Sequence, residues 1–394
     1  MEQKTDYLII GSGIAGYYAL TELLKSNANI TMITADHDYP YNRPPLSKEY
    51  LRGEKKEKPY FKPPEYYFSL KNVKIMLNTK VESININKKE AMLLNGDIIE
   101  FNKALIATGG SPRRLGVSGE NLRGVYYLRS LRDADSIKEA MSVSKNPVII
   151  GGGFIGIEAA ASMATLGLKP TIIEVMPRIW TTFIGEEVSR HLQTYFESKG
   201  VKILTNEKVK EIVGDDKVNA VITEGGKRID ADLVIVAVGI KPNVEIALNS
   251  GIDVNNGIIA NEYLMTSAKD IYTAGDVANI YDPNLNKRRR IEHWNNAWYC
   301  GKLAARNMMG SNEKYNFLST VWSDIFDIHI EAGGETIDYD NYVLKGNMST
   351  NKFLIVYSKK GIINGYVAFN WDIKELDKLN DMIVKKMSIS ELPK

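Results

Sequence analysis

The sequence predicts an α/β protein built on two copies of one strand–turn–helix–strand unit, with a smaller α+β segment at its C-terminal end. Three observations predict it. An apolar run, Tyr7 to Ile10, enters a glycine turn, Gly11-Ser-Gly13-Ile-Ala15-Gly16. A second apolar run, Pro147 to Ile150, enters another, Gly151-Gly-Gly153-Phe154-Ile155-Gly156. The chain has 394 residues, 44% hydrophobic and 25% charged. That is the composition of an ordinary globular protein, long enough for two to four domains.

In the first copy, Gly11 permits the tight turn, Gly13 lets a backbone approach a pyrophosphate, and Gly16 lets helix and strand pack closely. The helix is expected over Tyr17 to Lys25 and the next strand over Asn29 to Thr34. The helix N-terminus then offers free N–H groups and its positive dipole end to an anion. Asp36 lies 25 residues beyond Gly11, near where a carboxylate takes ribose hydroxyls. In the second copy a helix is expected over Ile157 to Leu166 and a strand over Thr171 to Val175, carrying Glu174. One such turn occurs in many α/β proteins. Two, each with strand, helix, strand and acid in register, point to two bound dinucleotides and hence to two Rossmann-like domains. A carboxylate at Glu174 accepts from a 2′-hydroxyl and repels a 2′-phosphate, which favours NADH over NADPH. Arg178, four residues on, reads as a loop arginine that could otherwise meet such a phosphate.

Composition excludes several functions. Lys plus Arg is 50 and Asp plus Glu is 48, a net charge of +2, so the basic excess of a general nucleic-acid binder is missing. A single cysteine, Cys300, excludes an intramolecular disulfide, a dithiol redox centre and a cysteine-based zinc site. Four histidines without an HxxxH pair leave little for a metal, and none is expected. The most membrane-like stretch, Pro147 to Leu168, carries four glycines and reads as strand, turn and helix. The N-terminus lacks a basic region followed by an apolar one. A cytoplasmic, non-membrane protein is expected. The run Glu54 to Lys58 reads as a solvated loop.

Beyond Asp36 the chain reads Pro40-Tyr-Asn-Arg43-Pro-Pro-Leu-Ser47-Lys48. Further on come Ala107-Thr108-Gly109, Ala237-Val-Gly239-Ile-Lys-Pro242-Asn, Thr273-Ala-Gly275-Asp276, Arg290-Ile-Glu-His293-Trp294 and Val321-Trp322-Ser-Asp. In these segments and their order the chain resembles the FAD-dependent NAD(P)H:ferredoxin and rubredoxin reductases. Those are the putidaredoxin-reductase-like and apoptosis-inducing-factor-like flavoproteins of the pyridine nucleotide-disulfide oxidoreductase superfamily. The resemblance covers nearly the whole chain. It departs at Ala35 and at the basic run Lys287-Arg-Arg-Arg290. It implies a discontinuous FAD-binding domain, about 1–110 and 239–310, an NAD-binding domain, about 111–238, and a small α+β interface domain, 311–394. The last shows strands near Tyr342 to Leu344, Phe353 to Ser358 and Gly365 to Phe369, and a helix from Ile373 to Lys386.

The resemblance also implies roles. Arg43 lies near the FAD pyrophosphate, and Lys48 near the flavin N5 edge, where a cation eases hydride acceptance. Glu158, a lone carboxylate in an apolar stretch, needs a partner, and the family supplies Lys48. These two are the expected catalytic residues. Cofactor contacts fall to Gly11, Gly13, Ala15, Gly16, Asp36, Arg43, Lys48, Val81, Ala107, Thr108, Gly109, Asp276, Trp294 and Trp322 for FAD. For the nicotinamide cofactor they fall to Gly151, Gly153, Phe154, Ile155, Gly156, Glu174 and Gly239. His293 reads equally as a structural histidine or a participant.

Disulfide reductases of this superfamily carry paired cysteines on the first helix, and their coenzyme A-dependent relatives carry one near positions 40–45. Neither is present here, so electrons must leave the flavin directly. The expected activity is electron transfer from NADH through FAD to a small iron–sulfur protein, ferredoxin or rubredoxin. The rivals are an NADH oxidase or diaphorase using oxygen or quinone, and an NADH-responsive redox sensor. A homodimer is left open.

Overall fold

A computed structural model describes residues 3–393, and the chain divides into two compact units. The first comprises 1–42, 59–111 and 241–321; the second comprises 43–58, 112–240 and 322–394.

The first unit is organised on a seven-stranded sheet. Four parallel strands stand in the order Val73–Met76, Ile30–Ile33, Gln3–Ile10, Ile98–Ile106. Ile271–Thr273 adds a further parallel partner to Ile98–Ile106. The strands Glu90–Leu93 and Val81–Asn85 extend it antiparallel. Toward their carboxyl ends the central strands, at Leu8 to Ile10, Ile30 to Ile33 and Ala104 to Ile106, are buried on both faces and so read as near-continuous apolar runs. One face is covered by the helices Ile14–Leu23 and Trp294–Met308, which share a core of Ile9, Ala15, Leu20, Leu23, Ala297, Leu303 and Ala304. They pack closely because Gly301 has no side chain: a Cβ there would lie 2.2 Å from the Ala15 carbonyl oxygen.

The second unit repeats the plan with five parallel strands, ordered Lys202–Leu204, Thr171–Ile173, Pro147–Ile150, Leu233–Val236, Val125–Tyr127. A three-stranded antiparallel sheet, Val209–Gly214, Val218–Thr223 and Arg228–Asp230, accompanies it. The C-terminal part is a five-stranded sheet ordered Thr320–Ile325, Ile328–Gly334, Ile362–Phe369, Lys352–Lys359, Asn341–Asn347. The helix Ile373–Val384 follows it, with Asp372 as N-cap.

Two differences from the sequence reading have simple causes. Both fingerprint helices begin three residues early, at Ile14 and Phe154, because the third glycine of each turn lies within the helix. A Cβ on Gly16 or Gly156 would stand 1.9 or 2.0 Å from the carbonyl oxygen of Gly11 or Gly151. The segment 43–58, expected in the first domain, packs with the second unit, because Ser47 is held there by two residues of the helix Phe154–Thr165. The stretch Pro147 to Leu168 is a strand, a turn and that helix. Among the described residues no helix is long and apolar enough to cross a membrane.

Candidate cofactor-binding and catalytic site

In the first unit the parallel strands end in register. Ile10 pairs with Ile33 and with Ile106, and Ile106 pairs with Thr273. Gly11, Thr34, Ala107 and Ala274 therefore all leave one carboxyl edge of the sheet, where open α/β sheets bind ligands. Gly11 adopts φ +111°, and a Cβ on it would lie 2.2 Å from the Ala107 oxygen. The helix after the turn has no side-chain cap at Gly13 and no acid in its first turn, so its N–H groups and dipole are offered to an anion.

Other expected contacts lie in this unit. Asp36 Oδ2 accepts from the Tyr41 hydroxyl at 2.8 Å and Oδ1 from the His37 N–H at 2.8 Å. Backbone bonds from Asn78 to Asp36 and from Thr79 to Thr34 bring up the strand that starts at Val81. Thr108 Oγ1 donates to the Asn243 carbonyl at 2.7 Å, and Asn243 Nδ2 donates back to the Thr108 carbonyl at 2.9 Å. That clasp fixes the Ala107-Thr108-Gly109 turn. Asp276 sits in a 3₁₀ turn beside Ala15, whose Cβ would be 3.0 Å from one on Gly275. Trp294 Nε1 donates to Asn42 Oδ1 at 2.8 Å, and its ring meets Tyr18 edge-on at 5.7 Å.

The second unit has the same edge. Ile150 pairs with Ile173 and Val236, so Gly151, Glu174 and the Val238-Gly239 turn leave together. Gly151 has φ +108° and a Cβ would lie 2.3 Å from the Ala237 oxygen, while Gly153 faces open space. The helix Phe154–Thr165 again has no side-chain cap and no acid in its first turn. Glu174 is buried. Its Oε2 accepts from the Gly152 N–H at 2.5 Å and its Oε1 from the Met176 N–H at 2.7 Å. Arg178 is 3.6 Å from Glu186, an engagement the sequence did not suggest. Phe154 packs on Trp180 and Phe183, with ring centroids 4.7 and 4.6 Å away. Ile155 is exposed. Gly239, at φ +92°, accepts from the Arg113 N–H at 2.9 Å.

Within the same unit Lys48 and Glu158 form an ion pair, Nζ to Oε1 3.2 Å, with side chains 8% and 7% exposed. Lys48 follows the 3₁₀ turn Pro44–Ser47, whose prolines, at its first two positions, stop it from extending toward the N-terminus. Arg43 precedes that turn, half-buried. Glu158 is not served by Lys48 alone. Ser47 Oγ donates to its Oε2 at 2.5 Å and Ser323 Oγ donates to its Oε1 at 2.6 Å. Ser162, one turn along the helix from Glu158, donates to the Ser47 carbonyl at 2.7 Å. Trp322 lies half-buried beside Ser323 on the strand Thr320–Ile325.

His293 Nδ1 is 2.9 Å from Ser319 Oγ. Burial, and then the charge of Arg289, push its pKa down to about 4, so near neutrality it is an uncharged imidazole. The run Lys287–Arg290 is a β-strand paired with Ala278–Asp282. Arg288 donates to the carbonyls of Ala260 and Asn279 at 2.9 and 2.7 Å. Arg289 Nε is 3.0 Å from the fully buried Asp282 carboxylate, and Arg290 bonds Glu292 and the Asp276 carbonyl. Among the described residues no group of acids, histidines and cysteine could hold a metal.

Two uncapped glycine turns in one chain, each at the carboxyl edge of its own parallel sheet, define a two-dinucleotide oxidoreductase. The chain belongs to the pyridine nucleotide-disulphide oxidoreductase family, which residues 5–301 match, and residues 320–391 match a reductase C-terminal domain. It is 31% identical to a rubredoxin-NAD(+) reductase of Pseudomonas putida, over 90% of this chain and 94% of the other. It is 33% identical to a ferredoxin-NAD(P)(+) reductase of Sphingomonas, over 90% and 87%. The crystal structure of the ferredoxin reductase of the CYP199A2 system from Rhodopseudomonas palustris matches with a TM-score of 0.93 at 28% identity, over 98% and 96% of the two chains. The chain is an NAD(P)H-dependent flavoprotein reductase, with FAD and NAD(P)H as its cofactors. The residues present fit them: two helix N-termini free of side-chain caps, and open space at Gly153 where a side chain would obstruct a phosphate.

Sequence reasoning missed Ser47, Ser323, Asn42 and Asn243. All four sit inside segments already singled out, but a lone serine or asparagine carries no signal of its partner.

Proposed function

We propose that this chain passes electrons from NADH to a small iron–sulfur protein of the ferredoxin or rubredoxin type. One observation carries the acceptor class. The sole cysteine, Cys300, is fully buried, and burial pushes its thiol up to about 12. No thiol relay can therefore carry electrons away, and a carrier must take them directly from the flavin. Relatives named rubredoxin and ferredoxin reductases, and a solved putidaredoxin reductase–putidaredoxin complex matching at TM-score 0.91 and 29% identity, support the same class.

In this reading Gly11, Gly13, Ala15, Gly16, Asp36, Arg43, Val81, Ala107, Thr108, Gly109, Asp276, Trp294 and Trp322 hold FAD. Gly151, Gly153, Phe154, Ile155, Gly156, Glu174 and Gly239 hold NADH. Bound FAD supplies the exchange between a two-electron hydride donor and one-electron carriers. Asp36 and Asp276 accept from sugar hydroxyls. The uncapped helix ends receive the pyrophosphates. Glu174 accepts from the ribose 2′-hydroxyl and repels a phosphate there. Lys48, oriented by Glu158, presents an ammonium to the flavin and so favours its reduction.

The test is NADH-dependent reduction of purified ferredoxins and rubredoxins beside oxygen consumption. Saturable carrier reduction that outpaces oxygen use is expected. Oxygen use alone would replace this reading with an oxidase. Slow reduction with a persistent long-wavelength band would replace it with a sensor.

A further inference from the structure

Lys48 and Glu158 are two members of a four-residue cluster. The Glu158 carboxylate receives Ser47 on one oxygen and both Ser323 and Lys48 on the other. Ser47 is 2% and Ser323 1% exposed. Ser323 comes from the strand Thr320–Ile325, far along the chain from the other three. A buried hydroxyl is costly unless it is bonded, and alanine would fill the same place in the strand without that cost. The hydroxyl therefore has a use, and the bond in which it donates is the one to Glu158.

We propose that Ser323 is a positioning residue for hydride transfer, tying the C-terminal sheet to Glu158 and thereby fixing the Lys48 ammonium. This rests on the reading that Lys48 serves the flavin. Ser47 sets one oxygen of the carboxylate at 2.5 Å and Ser323 sets the other at 2.6 Å. The carboxylate plane is then held from both ends. Lys48 reaches Oε1 only at 3.2 Å, so it is the loosest of the three donors and shares its acceptor. Without the Ser323 hydroxyl, Oε1 turns wholly to Lys48. The ammonium draws in toward Glu158, and its alignment with the reacting group is lost. Small misplacements of this kind are felt in rate more than in binding.

Stopped-flow reduction of the FAD-loaded enzyme by NADH tests this. In Ser323→Ala the limiting rate of flavin reduction should fall about tenfold, within what a small misplacement of a reacting group costs. The apparent Kd for NADH and the FAD content should hold. Ser323→Thr, which keeps the hydroxyl, should restore most of the rate. Ser47→Ala, which frees the other oxygen, should slow reduction likewise and serves if threonine does not fit. Wild-type limiting rates in both Ser323→Ala and Ser47→Ala would overturn the proposal. So would a loss of FAD and stability with unchanged reduction in the loaded fraction. Lys48→Met separates the two readings. If it is slow while the serine variants are not, only this proposal falls. If it too is unaffected, the role given to Lys48 falls first.

Discussion

Glu174 grips the Gly152 N–H, 2.5 Å from its Oε2, so the acid at the end of one strand is fastened to the glycine turn at the end of its neighbour. In the proposed function the carboxylate would meet its cofactor already aligned. Glu174→Ala should therefore narrow the ratio of kcat/KM for NADH over NADPH. It should also destabilise the protein, because the buried N–H of Gly152 loses its acceptor, at about 1–3 kcal/mol. Steady-state kinetics with both nucleotides and a urea titration read the two effects. An unchanged ratio would remove Glu174 from nucleotide choice.

Lys48→Met should leave FAD bound and slow its reduction by NADH. It breaks a buried pair on one side, which typically costs 3–5 kcal/mol. The two serine donors remain on Glu158 and offset part of that cost, so the low end, about 3 kcal/mol, is expected. Differential scanning calorimetry of Lys48→Met and of Lys48→Met with Glu158→Gln checks the assignment: the second change should recover stability.

Arg289→Leu should unfold the protein more readily without changing how carrier reduction responds to salt. Asp282 is fully buried, and Arg289 is its ion-pair partner. A steering patch would behave oppositely, since long-range attraction is screened beyond roughly 8–10 Å at physiological salt. A lowered melting temperature with an unaltered salt profile is the expected pair of results. Lys287→Ala, at the exposed start of the strand, should leave the melting temperature where it is.

Two histidines place opposite demands on pH. His293 is depressed to about 4 by burial, so between its unfolded value near 6.5 and 4 the unfolded chain binds the extra proton. Stability due to this residue is lost as pH falls through that window. His329 is raised to about 9, first by its hydrogen bond to Asp324, 2.6 Å away. Its contribution is complete below about 6.5 and is lost as pH rises through 9. Urea midpoints at pH 5, 7 and 9.5 should show His293→Asn flattening only the acid limb and His329→Gln only the alkaline one.

Cys300 should not react with a thiol reagent in the folded enzyme and should titrate as one thiol in denaturant. It is fully buried and its thiol is held up to about 12, and only the thiolate is nucleophilic. Rapid labelling of native protein, with loss of activity, would return a thiol to the chemistry.

The glycine turns were legible because backbone sterics write themselves into sequence at fixed spacing. Gly11 and Gly151 stand where any Cβ would strike a carbonyl, and no other residue meets that condition. Lys48 with Glu158 was legible through resemblance and the cost of a lone buried acid. Ser323 was not, since its partner lies 165 residues away and a hydroxyl in a strand looks the same whether it is bonded or wet. The strand Lys287 to Arg290 was illegible for a related reason. Four cations show no apolar alternation, yet Arg288 is satisfied by the backbone carbonyls of Ala260 and Asn279, which no side-chain pattern announces.

The first unit is assembled from three separated stretches, and this governs its birth on the ribosome. Gln3–Ile10 can pair with Ile98–Ile106 early. The strand Ile271–Thr273 that flanks them, and the helix Trp294–Met308 that closes over Ala15, have then still to be translated. At about 5–20 residues per second that wait is roughly 10–40 seconds, during which the apolar face of Ile14, Ala15 and Leu20 has no lid. The second unit's five-stranded sheet is complete once Val236 emerges. The nascent chain therefore carries a completed sheet downstream of an incomplete one, and its demand on chaperones falls on the segment made first.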